Sequence, residues 1–236
     1  MKTKITSLLI LILITFQATA CNTKSTTATS GETRTLENFN DIDLVCSAIV
    51  HLTQGDVQEV RIEAAPEDLE HIITEVKSDA LTIRVEENYK TTGTIEVYIS
   101  VKDLSSLDLA GSGKFIFESM FKTDEMAITV SGSGKVNAMI DIKTLSLNIT
   151  GSGDITAKGR AAEAKIRISG SGDVDGRELQ TFTSSVNITG SGTTTVDVNN
   201  ELTVNIVGSG NVYYVSDPER INSKIYGSGK LEKIKA

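Results

Sequence analysis

From residue 106 onward, apolar and polar side chains alternate in short runs such as Ile166-Arg167-Ile168-Ser169. A period of two is that of a β-strand with one face buried, so these runs predict strands and exclude helix. A tripeptide sets their phase. Gly-Ser-Gly begins at Gly111, Gly132, Gly151, Gly170, Gly190, Gly208 and Gly227, at spacings of 21, 19, 19, 20, 18 and 19 residues. Two positions before each first glycine stand Leu109, Val130, Ile149, Ile168, Ile188, Ile206 and Ile225. Two positions earlier the column reads Leu107, Ile128, Leu147, Ile166, Val186 and Val204, and is broken by Ser223. A third column follows the glycines: Phe115, Val136, Ile155, Val174, Thr194, Val212 and Leu231.

One repeat corresponds to one coil of chain, and a coil cannot fold alone. Its three aliphatic side chains gain about 1.5–3 kcal/mol each on burial, whereas ordering costs about 1–2 kcal/mol for every residue. Stacking equivalent strands about 4.7–4.9 Å apart gives each column a shared dry interior and pairs the backbone groups of neighbouring coils. The glycine pair suits a turn that needs positive φ or close approach of the next coil. The expected fold is all-β: a parallel β-helix-like β-solenoid of about seven 19-residue repeats over residues 106–236. The alternative is a sandwich or barrel of antiparallel hairpins, with Gly-Ser-Gly as the hairpin turn.

Residues 34–105 form a different, irregular β-rich region. Phe39 to Leu44, Ile49 to Leu52, Val57 to Ile62, Leu81 to Val85 and Ile95 to Ile99 mostly alternate, with a turn at Gln54-Gly55-Asp56. Leu69, Ile72, Ile73 and Val76 lie at spacings of three and four and predict a short helix after Pro66. This region is expected to supply the first coils of the solenoid, or its cap.

The first 20 residues read as a signal peptide: Lys2 and Lys4, an apolar run from Ile5 to Phe16, and Ala18-Thr19-Ala20 directly before Cys21. The run is shorter than the roughly 18–20 residues that span a bilayer as a helix. Small residues before a cysteine match a bacterial lipoprotein site, so Cys21 is the expected lipidated residue; ordinary signal-peptidase cleavage after Ala20 is the alternative. Residues 21–33, rich in Thr and Ser, are expected to form the lipid anchor and a disordered tether. The chain is thus expected to be exported and lipid-anchored to the cell envelope, at the outer membrane, on its periplasmic or its surface face.

Composition narrows the function. With 23 Lys and Arg against 31 Asp and Glu, the net charge is −8 and no basic surface is expected for nucleic acid. Two His and two Cys are too few for a zinc site or a disulfide framework, so no metal and no cofactor is expected. Cys46, among Leu44, Val45, Ala48 and Ile49, reads as a buried small hydrophobe. The Gly-Ser-Gly-Lys segments at Gly111, Gly132 and Gly227 lack the glycine spacing and the following Ser or Thr of a phosphate loop.

The leader, the strand at Phe39 to Leu44, the turn at Gln54-Gly55, the strand at Leu81-Thr82-Ile83 and the serial Gly-Ser-Gly repeats together resemble a bacterial family. It is described as putative auto-transporter adhesins with a head GIN domain. The resemblance covers residues 34 to 231. It implies an all-β, solenoid-like, secreted or surface-attached protein with a role in adhesion, and it brings no catalytic residues.

The position after each glycine pair forms a column: Lys114, Lys135, Asp154, Asp173, Thr193, Asn211 and Lys230. Stacking would pair Lys135 with Asp154 and set Asp154 beside the like charge of Asp173. Lys135, Asp154 and Asp173 are the candidate ladder for a cation or for sugar hydroxyls; a solvated face is the alternative reading. Aspartates after glycines also occur in calcium-binding nonapeptide repeats, but this period is twice as long and only two copies carry Asp. The serine column, Ser112 through Ser228, is expected to satisfy the turn backbone. His51 and His71 have no acid partner visible in the sequence. No Trp is present, and Tyr213, Tyr214 and Tyr226 are the main rings available to stack on a sugar.

The expected function is therefore a non-enzymatic, lipid-anchored adhesin or binding module. Its expected partners are the membrane, through the lipid, and polysaccharide or surface protein. The alternatives are a carbohydrate-active β-helix enzyme using Asp154 and Asp173, and a purely structural envelope protein.

Overall fold

The computed structural model describes residues 29–235. The expected signal peptide, the expected lipidation site Cys21 and most of the residues expected to form the tether lie outside the described residues. The N-terminal region contains β1 (Ser30–Arg34), β2 (Asp41–Leu44), β3 (Ile49–Gln54), β4 (Glu59–Ala64), α1 (Pro66–Leu69), β5 (Ile72–Lys77), β6 (Ala80–Val85) and β7 (Glu96–Val101). The repeats form β8 (Ser106–Gly111), β9 (Lys114–Phe117), β10 (Phe121–Gly132), β11 (Lys135–Gly151), β12 (Asp154–Gly170) and β13 (Asp173–Gly190). They continue with β14 (Thr193–Gly208), β15 (Asn211–Tyr214), β16 (Arg220–Gly227) and β17 (Lys230–Lys233).

The repeats stack in parallel as a β-solenoid of about seven turns. Leu147 pairs with Ile166, Ile149 with Ile168, Val136 with Ile155 and Gly151 with Gly170, so the columns read from the sequence are the ladder register. A hairpin sandwich would need antiparallel pairs between repeats, and β10 through β17 make none. Each long strand has two paired stretches. In β11 these are Lys135–Ile142 and Thr144–Gly151, with Lys143 skipped at a corner. Inward side chains are even-numbered before that corner and odd-numbered after it, which makes two walls around one core. Ile140, Leu145, Leu147 and Ile149 are buried there, as are their equivalents up to Val204, Ile206 and Val212.

Two different demands select glycine at the turn. Gly151 has φ of 122°, and a Cβ on it would stand 2.6 Å from the carbonyl oxygen of Gly132 in the coil before. Gly153 has no such φ, but its Cβ would stand 2.5 Å from Val130 Cγ1. The serine between them is tied by its main chain: the N–H of Ser152 donates to Gly132 O at 2.8 Å, and that of Ser171 to Gly151 O at 2.8 Å.

The N-terminal region joins the same ladder. β2 lies between β6 and β8, and β3 between β7 and β9, all parallel. Antiparallel strands then close this end: β4 on β7, β5 on β6 and β1 on β4. Two expectations change here. Residues 30–33, expected in the tether, belong to strand β1 (Ser30–Arg34), held where Arg34 Nη1 donates to Ile72 O at 2.6 Å and Thr74 Oγ1 at 3.0 Å. The helix after Pro66 is only four residues long, and Ile72, Ile73 and Val76 belong to β5 instead. Their β-branched side chains suit a strand, and antiparallel pairing with β6 outweighs the helical spacing.

The cap is latched by Asp68, which is fully buried. Its carboxylate accepts N–H bonds from Thr92 (3.0 Å) and Gly93 (3.1 Å) and hydroxyl bonds from Tyr89 (2.8 Å) and Thr92 (3.2 Å). Burial alone would raise this carboxyl; the four donors outweigh it and hold it below the usual carboxylate range.

Candidate functional site

The glycine turns place Lys135, Asp154 and Asp173 in one register row on the outside of a wall. Lys135 Nζ meets Asp154 Oδ2 at 2.8 Å, with both side chains largely exposed. The bond and the charge of Asp154 push the Lys135 ammonium pKa up. Asp173 is engaged elsewhere: its Oδ1 accepts the Thr193 N–H at 2.8 Å. The row thus brings Lys135 and Asp154 together and ties Asp173 to the backbone of the next coil. Among the described residues, no three His, Cys, Asp or Glu side chains are placed to share a metal ion.

The histidines differ from the sequence reading, since each has an acid partner. His51 Nδ1 lies 2.7 Å from Glu118 Oε1, and His71 Nδ1 lies 2.8 Å from Glu86 Oε2. Long-range register creates the first pair: β3 runs beside β9, and Glu118 follows β9. Both rings are also stacked, His51 on Tyr98 at 4.7 Å and His71 on Tyr89 at 3.7 Å between centroids. Arg61 covers Tyr98 at 4.5 Å, and the Tyr98 hydroxyl donates to Glu96 Oε2 at 2.6 Å, which helps push its pKa up to about 12. These contacts close a polar patch over β3, β4 and β7. Cys46 is a free, half-buried thiol, and burial raises its pKa.

An acidic group sits where β2 meets β8. Asp43 pairs in register with Asp108, and Asp41 lies two residues away. Burial, followed by repulsion from neighbouring aspartates, raises the carboxyl pKa of both Asp41 and Asp43.

The site that sequence reasoning missed lies at the solenoid corner. Phe182 follows buried Thr181, whose hydroxyl lies 2.8 Å from Ser184 Oγ and donates to Asp197 O at 2.8 Å. With Thr181 pinned inward, Phe182 projects outward and is 60% exposed. It borders a shallow notch of about 450 Å³ lined by Ala162 and by the polar side chains of Asp141, Arg160, Gln180 and Asn199. Arg160 Nη2 donates to Asp141 Oδ2 at 2.9 Å across adjacent coils. An aromatic face beside a fork of guanidinium, carboxylate and amide groups can stack a flat apolar surface and hydrogen-bond the hydroxyls around it. The sequence signal was an apolar residue at a corner occupied by Lys143 and Ala162 in the preceding coils. Of the three tyrosines read as stacking rings, Tyr226 is 68% exposed, while Tyr213 and Tyr214 are half-buried.

A packed parallel stack of coils, closed at its N-terminal end by antiparallel strands, places the chain in the class of β-solenoid proteins. The chain belongs to the family described as "Putative auto-transporter adhesin, head GIN domain", whose model matches residues 38–218. Among solved structures it is similar to a putative adhesin from Bacteroides fragilis, with a TM-score of 0.83 and 20% identity over 88% of this chain and 97% of that one. A putative adhesin from Parabacteroides merdae is similar at a TM-score of 0.72 and 21% identity, over 88% and 96% of the two chains. A protein described as a putative lipid binding protein, from Parabacteroides distasonis, is similar at a TM-score of 0.71 and 25% identity over 88% and 97%. No curated protein matches the sequence. Membership in an adhesin-like family points to a surface or envelope protein, and no helix of the described residues is long and apolar enough to cross a membrane.

Proposed function

We propose that the protein is a non-enzymatic adhesion module, held at the outer membrane by a lipid on Cys21, that binds glycans on its outer walls. The observation that carries this reading is Phe182: a largely exposed aromatic ring beside Arg160, Asp141, Gln180 and Asn199 on an open corner. Aliphatic columns fill the interior, so a ligand meets the protein from outside. A shallow, exposed site suits binding of a chain that extends beyond it. The carboxylates of the enzymatic alternative are already engaged, Asp154 by Lys135 and Asp173 by the Thr193 N–H. One similar structure is described as a putative lipid binding protein, so lipid is the comparison ligand.

An array of bacterial and host glycans, probed with the purified protein and with Phe182→Ala, tests the reading. Binding that falls about tenfold or more in the variant, with an unchanged melting temperature, is expected. Equal binding by both proteins overturns the assignment of the notch. A new reducing end or an unsaturated product from any bound polysaccharide overturns the non-enzymatic reading.

A further inference from the structure

The two ends of the solenoid are finished differently. Antiparallel β4, β5 and β1 close the N-terminal end. At the other end β16 and β17 pair on one side only, with β14 and β15, among the described residues. All eight residues of β16 are exposed. Eight large hydrophobic side chains are exposed among the described residues, and half of them gather here: Ile221, Ile225 and Tyr226 on β16, and Val207, the ladder partner of Tyr226. Inward-facing Ile221 and Ile225 remain 40% and 37% exposed, although their two columns are buried in the coils before, from Met126 to Leu202 and from Val130 to Ile206. An apolar strand with an open edge is a template for pairing.

The direction of the ladder identifies the free backbone groups. On this wall Ala127 donates its N–H back to Ser105 O at 2.9 Å, and Ser228 donates back to Gly208 O at 2.9 Å. Alternation along a parallel strand therefore turns the N–H and C=O of Ile221, Ser223 and Ile225 toward the open side.

We propose that this end binds a second copy of the chain, tail to tail, with β16 antiparallel to its counterpart about a twofold axis at Ser223. The strand is self-complementary in that register. Ile221 faces the partner's Ile225 on the inner side, which continues the core column across the junction. Ile221, Ser223 and Ile225 are the residues whose backbone groups point outward, so each exchanges a pair of hydrogen bonds. On the outer side Arg220 lies across from the partner's Tyr226, cation against ring, and Asn222 lies across from the partner's Lys224. No like charges stand directly opposite each other, and a slip of one residue would turn the isoleucines out of the core. Such a dimer is isologous and closed, so it does not grow into a fibre.

Pairing at this end leaves the two N-terminal ends pointing away from each other. Given the anchored adhesion module proposed above, two such copies bridge two surfaces, and the adhesive partner is another copy of the same chain.

Sedimentation of the purified protein across a concentration series, together with register-specific cross-linking, tests the pairing. The wild type is expected to sediment as a dimer. Ile225→Lys places a charge on the inner edge and is expected to weaken the dimer about tenfold or more while the folded monomer persists by circular dichroism. In Asn222→Cys/Lys224→Cys the opposed Cα atoms stand about 4.5 Å apart, within disulfide range, so mild oxidation yields a covalent dimer. Arg220→Cys/Lys224→Cys opposes no cysteines and stays uncross-linked. A wild type that is monomeric throughout, or equal cross-linking of the two cysteine pairs, overturns the proposal. Beads carrying the protein by its N-terminal end are expected to clump, and to disperse with Ile225→Lys. A dimer in solution without clumping keeps the pairing and overturns only the bridging step.

Discussion

Gly111→Ala, Gly151→Ala and Gly153→Ala each add one methyl group to the turn, but the three methyls meet different surroundings. At Gly111, φ is 114° and nothing lies within 4 Å of the new Cβ, so the variant carries backbone strain alone. That strain costs about 1–3 kcal/mol. Gly153 lies outside the positive-φ region, but its Cβ would stand 2.5 Å from Val130 Cγ1 and 2.8 Å from Gly134 O, whereas ordinary contact is 3.4–4 Å. Overpacking of this kind costs about 1–3 kcal/mol. Gly151 suffers both effects: φ of 122° and a Cβ 2.6 Å from Gly132 O. Its cost is expected to approach the sum of the other two, about 2–6 kcal/mol. At about 2–4 °C per kcal/mol for a chain of this size, Gly151→Ala should melt well below both other variants. Thermal melts followed by circular dichroism, with urea titrations at 25 °C, measure the series. If Gly151→Ala melts together with Gly111→Ala, the Gly132 carbonyl is not packed beneath it and the close coil contact is refuted.

Thr194 stands fully buried in a column of aliphatic residues, and its hydroxyl has no hydrogen-bond partner. Thr194→Val, which matches Val174 and Val212 on either side, is expected to raise stability by about 1 kcal/mol or more in urea titration; a loss of stability would show that the hydroxyl is satisfied. Asp68 has a depressed folded-state pKa, so its stabilising contribution is complete above the unfolded value of about 3.9 and is lost as pH falls through the folded value. Asp68→Asn is expected to cost about 1–3 kcal/mol at pH 7, to flatten the fall of stability below pH 4, and to speed hydrogen exchange at the Thr92 and Gly93 amides; an unchanged acid limb would remove the latch. Asp154→Asn breaks only an exposed ion pair and is expected to move the melting temperature by less than about 2 °C, in low or high salt. A larger, salt-sensitive drop would mean that the row is structural.

The solenoid was legible because repetition makes the same physical demand seven times. A single Ile-x-Ile run is ambiguous, but Leu109 through Ile225 at a near-constant period can be buried only by stacking. The N-terminal closure was not legible, since Leu69, Ile72, Ile73 and Val76 fit a helix locally and only the partner strand β6 decides for β5. The partners of His51 and Asp68 come from residues 67 and about 24 positions away in sequence, brought close by coil register and loop docking that no local pattern encodes. Lys135 and Asp154 were legible as a pair because they occupy one column. Asp173 was placed correctly in that column, but its capture by the Thr193 N–H depends on the turn backbone. Phe182 was missed because the corner position already varies, Lys143 then Ala162, and its exposure follows from Thr181 being pinned inward by Ser184 and the Asp197 carbonyl. The apolar open edge at Ile221 and Ile225 looked like one more repeat, because the sequence columns do not mark which coil is last to be covered.

Retention of cells on a glycan-coated surface under flow tests the adhesion account most directly, using a strain that lacks the protein and is complemented with wild type, Phe182→Ala or Cys21→Ser. Wild-type cells are expected to be retained, whereas Phe182→Ala cells detach with the protein still displayed and Cys21→Ser cells detach with the protein released. Equal retention of all three strains, or of the uncomplemented strain, would contradict the account.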